Sequence, residues 1–282
     1  MGHPAADIFR QAAGLNLQDT RRGGNTIRIE PGMEMIVSGD LHGYRVGLAK
    51  LLAYAQLDQR PNRRLILQEI VHGPADAATG QDRSIELLLR AARLKVAHPL
   101  QVVFILGNHD IAQVTGNEIT KDGCGTCKAF CEGVRFSYPD ACQEVMAAVN
   151  EFLLSMAIAA LTPGGVFIAH SLPSPNRMEA SGLEILSRPT TQNDLHRGQP
   201  AYEWTWGRQQ TPQQLDSLAE KLGVTYFILG HRHSDSGCEV VSPRGVALTT
   251  GHPCGQVAVF GSDEPLSGET ICEHLKPVLS MR

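Results

Sequence analysis

Met35-Ile36-Val37-Ser38-Gly39-Asp40-Leu41-His42-Gly43 carries an apolar, strand-like run straight into an Asp-x-His pair. The pattern returns along the chain. Val102-Val103-Phe104-Ile105-Leu106 leads into Gly107-Asn108-His109-Asp110, Val166-Phe167-Ile168-Ala169 into His170, and Tyr226-Phe227-Ile228-Leu229 into Gly230-His231-Arg232-His233. Short apolar runs closed by glycine or a polar residue suit strands buried on both faces. Ligand-type residues at the ends of several such strands let one sheet edge gather a metal site from distant sequence. A lone Asp-x-His says little. Four strand ends of this kind point to a two-metal centre.

Outward from these strands, helical spacing appears between them. Gly47 to Gln56 places Leu48, Leu51, Leu52 and Ala55 on one face, and Ile85 to Val96, capped by Ser84, offers Leu87, Leu88 and Leu94 for burial. Arg64 to Gln68 reads as a strand and Gly73 to Gln81 as a polar loop. Residues 1–30 read as a short helix, a loop and an edge strand. Gly116 to Pro139 reads as a long connection, Glu144 to Ala160 as a helix, and Ser171 to Thr211 as irregular. A helix follows from Pro212 through Leu222, then strands at 224–229, 238–241, 246–250 and 256–260 that are expected to be mainly antiparallel. Strand–helix–strand alternation indicates an α/β architecture.

The bulk properties narrow the function. With 282 residues, 42% hydrophobic and 19% charged, the composition is that of a globular protein. A net charge of −4 without a Lys/Arg block gives no footprint for nucleic acid. The first 22 residues lack the basic start and apolar core of a signal peptide. Phe152 to Leu161, the longest apolar stretch, is too short to span a bilayer. No membrane partner and a cytoplasmic location are therefore expected. Seven cysteines are an odd count, which argues against a complete disulfide framework. Cys124, Cys127 and Cys131 are read as reduced thiols in a Gly-rich surface loop rather than as a metal or redox site.

Hard cations take carboxylate and amide oxygens, while Mn, Fe and Zn also take imidazole nitrogen. Asp40, His42, Asn108, His170, His231 and His233 supply that mixed set. A carboxylate to bridge two ions should lie at one more strand end, about one strand–helix–strand unit beyond Asp40. Glu69, in Leu65-Ile66-Leu67-Gln68-Glu69-Ile70-Val71-His72-Gly73-Pro74, is the candidate. His98, His196, His252 and His274 are read as hydrogen-bonded structural residues, with His252 left open because Gly251-His252-Pro253 lies near the expected site, and Trp204 and Trp206 as core aromatics.

The order of these motifs resembles that of the calcineurin-like metallophosphoesterases, closest to their phosphoprotein phosphatase branch, over roughly residues 33 to 260. Gly39-Asp-Leu-His-Gly43 corresponds to the first family motif, and Phe167-Ile-Ala-His-Ser-Leu-Pro-Ser-Pro175 is similar to the family's later histidine segment. The resemblance implies a four-layer αββα sandwich, with two mixed β-sheets flanked by helices and the metal site at the C-terminal ends of the strands. It implies a single domain over 1–282, with residues 1–30 as an N-terminal extension. It further implies two divalent ions (Mn, Fe or Zn), one held by Asp40, His42, the bridging residue and His233, the other by the bridging residue, Asn108, His170 and His231. His109 corresponds to the acid that protonates the leaving alkoxide. The implied reaction is hydrolysis of a phosphomonoester, phosphoprotein-like as the first expectation, by a hydroxide bridging the ions.

The chain departs from the family at one motif. Gly-Asp-x-x-Asp-Arg is replaced by Gln68-Glu69-Ile70-Val71-His72-Gly73. Glu69 keeps the bridging charge on a longer arm; a register anchored on Gly73 puts neutral Gln68 there instead. His72 falls where the family has the aspartate that orients the catalytic histidine, and Asp110 is expected to orient a histidine in its place. The family's phosphate-gripping arginine beside that aspartate is missing, as is the arginine usually found shortly after Gly-Asn-His-Glu, with Arg45, Arg177, Arg208 and Arg232 as candidate replacements. The missing arginines suit a phosphoanhydride substrate such as a dinucleoside polyphosphate. Glu69 and His72 suit a pseudo-phosphatase that only binds its partner.

Overall fold

The computed structural model describes residues 2–121 and 123–282. Two mixed sheets face one another. The smaller runs, in spatial order, Leu275–Pro277, Gln256–Gly261, Glu34–Asp40, Arg63–Gln68 and Val102–Ile105. Its last three strands are parallel, crossing over through the helices Arg45–Ala55 and Ser84–Ala97. The larger runs Arg22–Gly23, Thr26–Arg28, Ala159–Leu161, Val166–Ala169, Tyr226–Leu229, Gly245–Leu248 and Cys238–Ser242. A two-stranded hairpin pairs Thr120–Lys121 with Cys124–Gly125.

Alternation along each strand divides the core in two. Met35, Val37, Ile66, Val103, Ile105, Val166, Ile168, Tyr226, Ile228, Val246 and Leu248 meet between the sheets. Their neighbours Ile36, Leu65, Leu67, Phe104, Phe167, Phe227 and Ala247 pack under the helices instead. Successive side chains point to opposite faces, so a strand covered on both sides must be apolar throughout. The continuous runs in the sequence have this origin. The layer order is helix, sheet, sheet, helix, as expected.

Parallel pairing aligns the strand ends. Asp40 stands in register with Gln68, and Gln68 with Ile105, while Tyr226 to Ile228 run in register with Val166 to Ile168. The residues after these strands therefore emerge at one edge. The two sheets touch there: Gly39 N–H donates to Thr250 Oγ1 (2.8 Å), Thr250 N–H donates to Asp40 O (3.1 Å), and Asp40 bridges to Thr249. A Cβ on Gly39 would collide with the Leu248 backbone, so only glycine allows this approach.

Several local expectations are corrected. Residues 116–139 are not a plain loop, because Thr126–Ser137 is a helix that buries Cys127, Phe130 and Val134. Its cysteines and glycines concealed a 3.6-residue spacing. All seven cysteines are free, with Cys127 buried and Cys124 exposed. The helix expected to Ala160 stops at Leu154, and Ala159–Leu161 is a strand. A short apolar run fits either element, and here pairing with Thr26–Arg28 and Val166–Ala169 decides. Ser84 does not cap the next helix but is its first residue, with Arg83 at the cap position and the Asp82 Oδ1 accepting the Ser84 N–H (2.8 Å). Residues 171–211 contain helices Pro175–Ser181 and Pro200–Trp206. The last strands do not form one antiparallel set: Tyr226–Leu229 is parallel to both neighbours, Cys238–Ser242 is antiparallel to Gly245–Leu248, and Gln256–Gly261 lies antiparallel to its neighbours in the other sheet.

The N-terminal segment is built into the body. Helix Pro4–Leu17 packs Phe9 against Phe152 (ring centroids 5.7 Å apart), and Thr26–Arg28 adds a strand to the larger sheet. Among the described residues no helix is long and apolar enough to cross a membrane.

Candidate metal centre

His170, fully buried at the end of Val166–Ala169, is the hub of the strand-end cluster. Its Nε2 lies 2.9 Å from Asn108 Oδ1, 3.2 Å from His231 Nδ1 and 3.4 Å from Glu69 Oε1. Its Nδ1 lies 3.4 Å from Asp40 Oδ1. Asp40 in turn accepts the His231 N–H at both carboxylate oxygens (3.1 and 3.0 Å). Five residues from four motifs and the 63–68 strand end thus converge around one imidazole.

Glu69 belongs to two groups of donor atoms. With His42 and His109 it forms one set, and with Asp40 and His170 another, the atoms of each set lying within 4.8 Å of one another. Its Oε2 is 3.4 Å from His42 Nε2, and its Oε1 accepts the His109 N–H (2.6 Å). His42 Nδ1 is 3.1 Å from Val71 O, which leaves Nε2 facing the carboxylate. Gln68 also reaches in: its Nε2 donates to Ser38 O (3.0 Å), which turns Oε1 inward.

The close packing depends on glycine at two points. A Cβ on Gly230 would stand 2.5 Å from Asp40 Oδ1, 2.9 Å from Gln68 Oε1 and 3.2 Å from His170 Nδ1; one on Gly107 would strike the Glu69 side chain. The chain also bends sharply here. His42, Glu69, His72 and His231 take left-handed backbone conformations, with φ of 39°, 36°, 60° and 65°. Side chains other than glycine rarely adopt such angles, and the strain gathers where a site requires it.

Electrostatics match the donor set. Burial, then the nearby Asp40 and Asp110 carboxylates, push the Glu69 pKa well above its ordinary value. Burial would raise Asp40 as well, but the His170 and His42 imidazoles and the His231 N–H together outweigh this and hold it low. Burial, and then neighbouring His42 and His170 respectively, push His109 and His231 down, so both rings are neutral with lone pairs available. Glu69 Oε2, Gln68 Oε1 and His170 Nδ1 are buried with no hydrogen-bond partner among the described residues. Buried acceptors are rarely left unpaired. Three such unpaired atoms side by side in one cluster fit cations.

Other expected residues face elsewhere. His233 has a side chain 72% exposed and pairs with Asp235 (3.1 Å). Asp110 orients no histidine in the described structure: its Oδ2 accepts the Gly107 N–H (2.8 Å), closing the start of helix Asn108–Thr115. Its carboxyl is raised to about 7 by burial. The histidine at His109 is His72, with the two Nδ1 atoms 2.8 Å apart. Arg45 is exposed and paired with Glu86 (2.6 Å). Arg232 is spent on Glu239, Gln210 and the Arg208 carbonyl. Arg177 sits exposed on helix Pro175–Ser181. Arg208 alone among these four contacts the cluster, its Nε 2.9 Å from His231 Nε2.

Trp204 is a core residue, as expected, with its Nε1 donating to Gly182 O (3.2 Å). Trp206 is only partly buried, stacks on Tyr202 (ring centroids 5.2 Å) and lies edge-on to His231 (6.3 Å). Sequence reasoning passed over Gln113, whose Oε1 lies 3.0 Å from His72 Nε2. Its place four residues after His109 on the same helix was the available signal.

Comparison with known proteins agrees with this geometry. No curated protein matches the chain. Among solved structures it is similar to a protein serine/threonine phosphatase from Saccharomyces cerevisiae described as similar to human phosphatase PP5. That likeness has TM-score 0.68 at 15% identity, over 98% of this chain and 92% of the other. It is also similar to a cold-active protein-tyrosine phosphatase of a psychrophilic Shewanella, with TM-score 0.59 at 11% identity, over 89% and 80% of the two chains. At these identities the likeness is one of fold. A family model described as calcineurin-like phosphoesterase matches residues 33–235. With most of its length matched by that model, the chain belongs to the calcineurin-like phosphoesterase family.

Proposed function

We propose that the chain is a single-domain, two-metal phosphomonoesterase. The observation that carries this reading is the position of Glu69, one buried carboxylate shared by two three-residue donor sets. Asp40, His42 and Glu69 would hold one ion, and Glu69, Asn108, His170 and His231 the other. A mixed imidazole, carboxylate and amide set suits Mn, Fe or Zn. Bound ions supply Lewis acidity towards phosphoryl oxygens and lower the pKa of water at that place.

The side chains do the rest. His109 has its Nδ1 against His72, which leaves Nε2 as the nitrogen that hands a proton to the leaving oxygen. Arg208, at the edge of the cluster, grips the phosphate with its guanidinium. The neighbouring folds are named as phosphatases of serine/threonine and tyrosine phosphoproteins. A phosphorylated protein side chain is accordingly the substrate class we favour. The free cysteines suit a reducing compartment, the cytoplasm.

The test is metal content per chain, with turnover of an aryl phosphate measured on the same sample before and after Mn²⁺. Two ions with activity, both lost in Asp40→Ala, are expected. One ion or none, with no turnover after Mn²⁺, would leave a binding module in place of an enzyme. Preference for a dinucleoside polyphosphate over a phosphopeptide would move the substrate to the phosphoanhydrides.

A further inference from the structure

We propose that Gln113 is a positioning residue that acts through His72 to fix which nitrogen of His109 carries the proton. The claim deepens the phosphatase reading and rests on it only for its kinetic consequence.

Three side chains form a buried line. His109 Nδ1 meets His72 Nδ1 at 2.8 Å, and His72 Nε2 meets Gln113 Oε1 at 3.0 Å. Gln113 Nε2 donates to Cys131 Sγ (3.5 Å), which holds the amide with its oxygen towards His72. His72 and Gln113 are both buried, and the Phe130 ring lies edge-on to His72 (5.8 Å). His109 and Gln113, one turn apart on helix Asn108–Thr115, thus clamp a histidine delivered by a different strand end.

Donor and acceptor rules settle the protons. A carboxamide oxygen only accepts, so His72 Nε2 must carry the N–H. A neutral imidazole then has a bare Nδ1. Facing it at 2.8 Å, His109 Nδ1 must be the donor. Neutral in the resting protein, His109 takes a second proton at Nε2 from the phosphate monoester monoanion as it enters; when the P–O bond breaks that proton passes to the leaving oxygen, and the ring left behind is again the neutral Nδ1–H form. That is the one form His72 accepts from. The His109–His72 hydrogen bond therefore persists through the transfer, with no rotation and no second proton to move. With the opposite His72 tautomer, two N–H groups would face each other once the proton had left. Burial lowers His72 to about 4, which agrees with a neutral ring in this role.

Two measurements on the full chain test this. Nitrogen-15 NMR of the histidine rings in metal-free protein should show His72 protonated at Nε2 and His109 at Nδ1. In Gln113→Met the His72 assignment should be lost. For the kinetics, removal of a positioned acid is felt most with poor leaving groups. Gln113→Met should slow an alkyl phosphate by about tenfold or more, part of the roughly 10²–10⁴-fold that general acids supply, while sparing 2,4-dinitrophenyl phosphate. In a His72→Asp background, where no tautomer needs setting, Gln113→Met should cost nothing further. Equal losses on both phosphates, an unchanged His72 tautomer in Gln113→Met, or a full further loss in the His72→Asp background would each overturn the proposal. If the wild-type protein turns over neither phosphate with Mn²⁺, the phosphatase reading falls, and the ring assignments still decide the role of Gln113.

Discussion

Arg208 Nε stands 2.9 Å from His231 Nε2, which brings a guanidinium to the edge of the cluster from a segment more than a hundred residues beyond the central motif that lacks one. The carbonyl of Arg208 is held by Arg232 (2.6 Å), which is itself pinned to Gln210 and Glu239. Arg208→Ala is expected to lower kcat/KM on an aryl phosphate by about 10–100-fold, the worth of one charge-assisted pair. Arg208→Lys should recover little of this, because an ammonium cannot grip two oxygens in plane. A wild-type value in Arg208→Ala would return the phosphate grip to another residue.

Glu69→Gln should reduce metal content below two ions per chain and cut turnover by more than about 100-fold. Glu69→Asp keeps the charge on a shorter arm and should fall between the two. Elemental analysis with a parallel activity assay reads both effects. Full stoichiometry in Glu69→Gln would move the bridge to Gln68.

Gly39→Ala tests the contact between the sheets. The added methyl would meet the Leu248 backbone, which cannot yield as a flexible side chain can. A loss of roughly 2 kcal/mol or more in denaturant unfolding is expected, since overpacked cores cost about 1–3 kcal/mol. A change below about 0.5 kcal/mol, the range of ordinary surface substitutions, would show that the sheets separate easily there.

Lys95 is buried, with its Nζ donating to the carbonyls of Pro99 (2.7 Å) and Val102 (2.9 Å). Burial lowers it from 10.5 to about 8 in the folded chain. A lysine whose folded pKa is depressed binds fewer protons folded than unfolded between those values. Its contribution therefore becomes more favourable as pH rises through that window, and is constant below about 8. Relative to Lys95→Met, the wild type should gain roughly 2 kcal/mol between pH 8 and pH 9.5, at about 1.4 kcal/mol per unit. Paired denaturation curves at the two pH values supply the measurement. A flat difference would mean that the ammonium is solvated or compensated in the fold.

Much of this molecule was legible because its chemistry sits where apolar strands end. Asp40, Asn108, His170 and His231 each follow an apolar run, and parallel registers bring them together. What could not be read is what long-range packing decides. Ala159–Leu161 is a strand because Thr26–Arg28 and Val166–Ala169 offer it partners. His233 shares a tripeptide with His231 yet points to solvent, a difference set by backbone torsion that spacing does not encode. Asp110 beside a histidine suggested a partner for it, but its carboxylate was claimed by the helix start. The helix holding Cys131, which steadies Gln113, was hidden by its own composition.

The left-handed turns at His42, Glu69, His72 and His231 carry one more consequence. Each such residue costs on the order of 1–3 kcal/mol, and glycine would relieve it. Selection for heat resistance alone would therefore drift towards glycine at these four positions, yielding hardier proteins stripped of the shared carboxylate and of three of the site's histidines. Resilience and reactivity are set against each other at the same four backbone hinges.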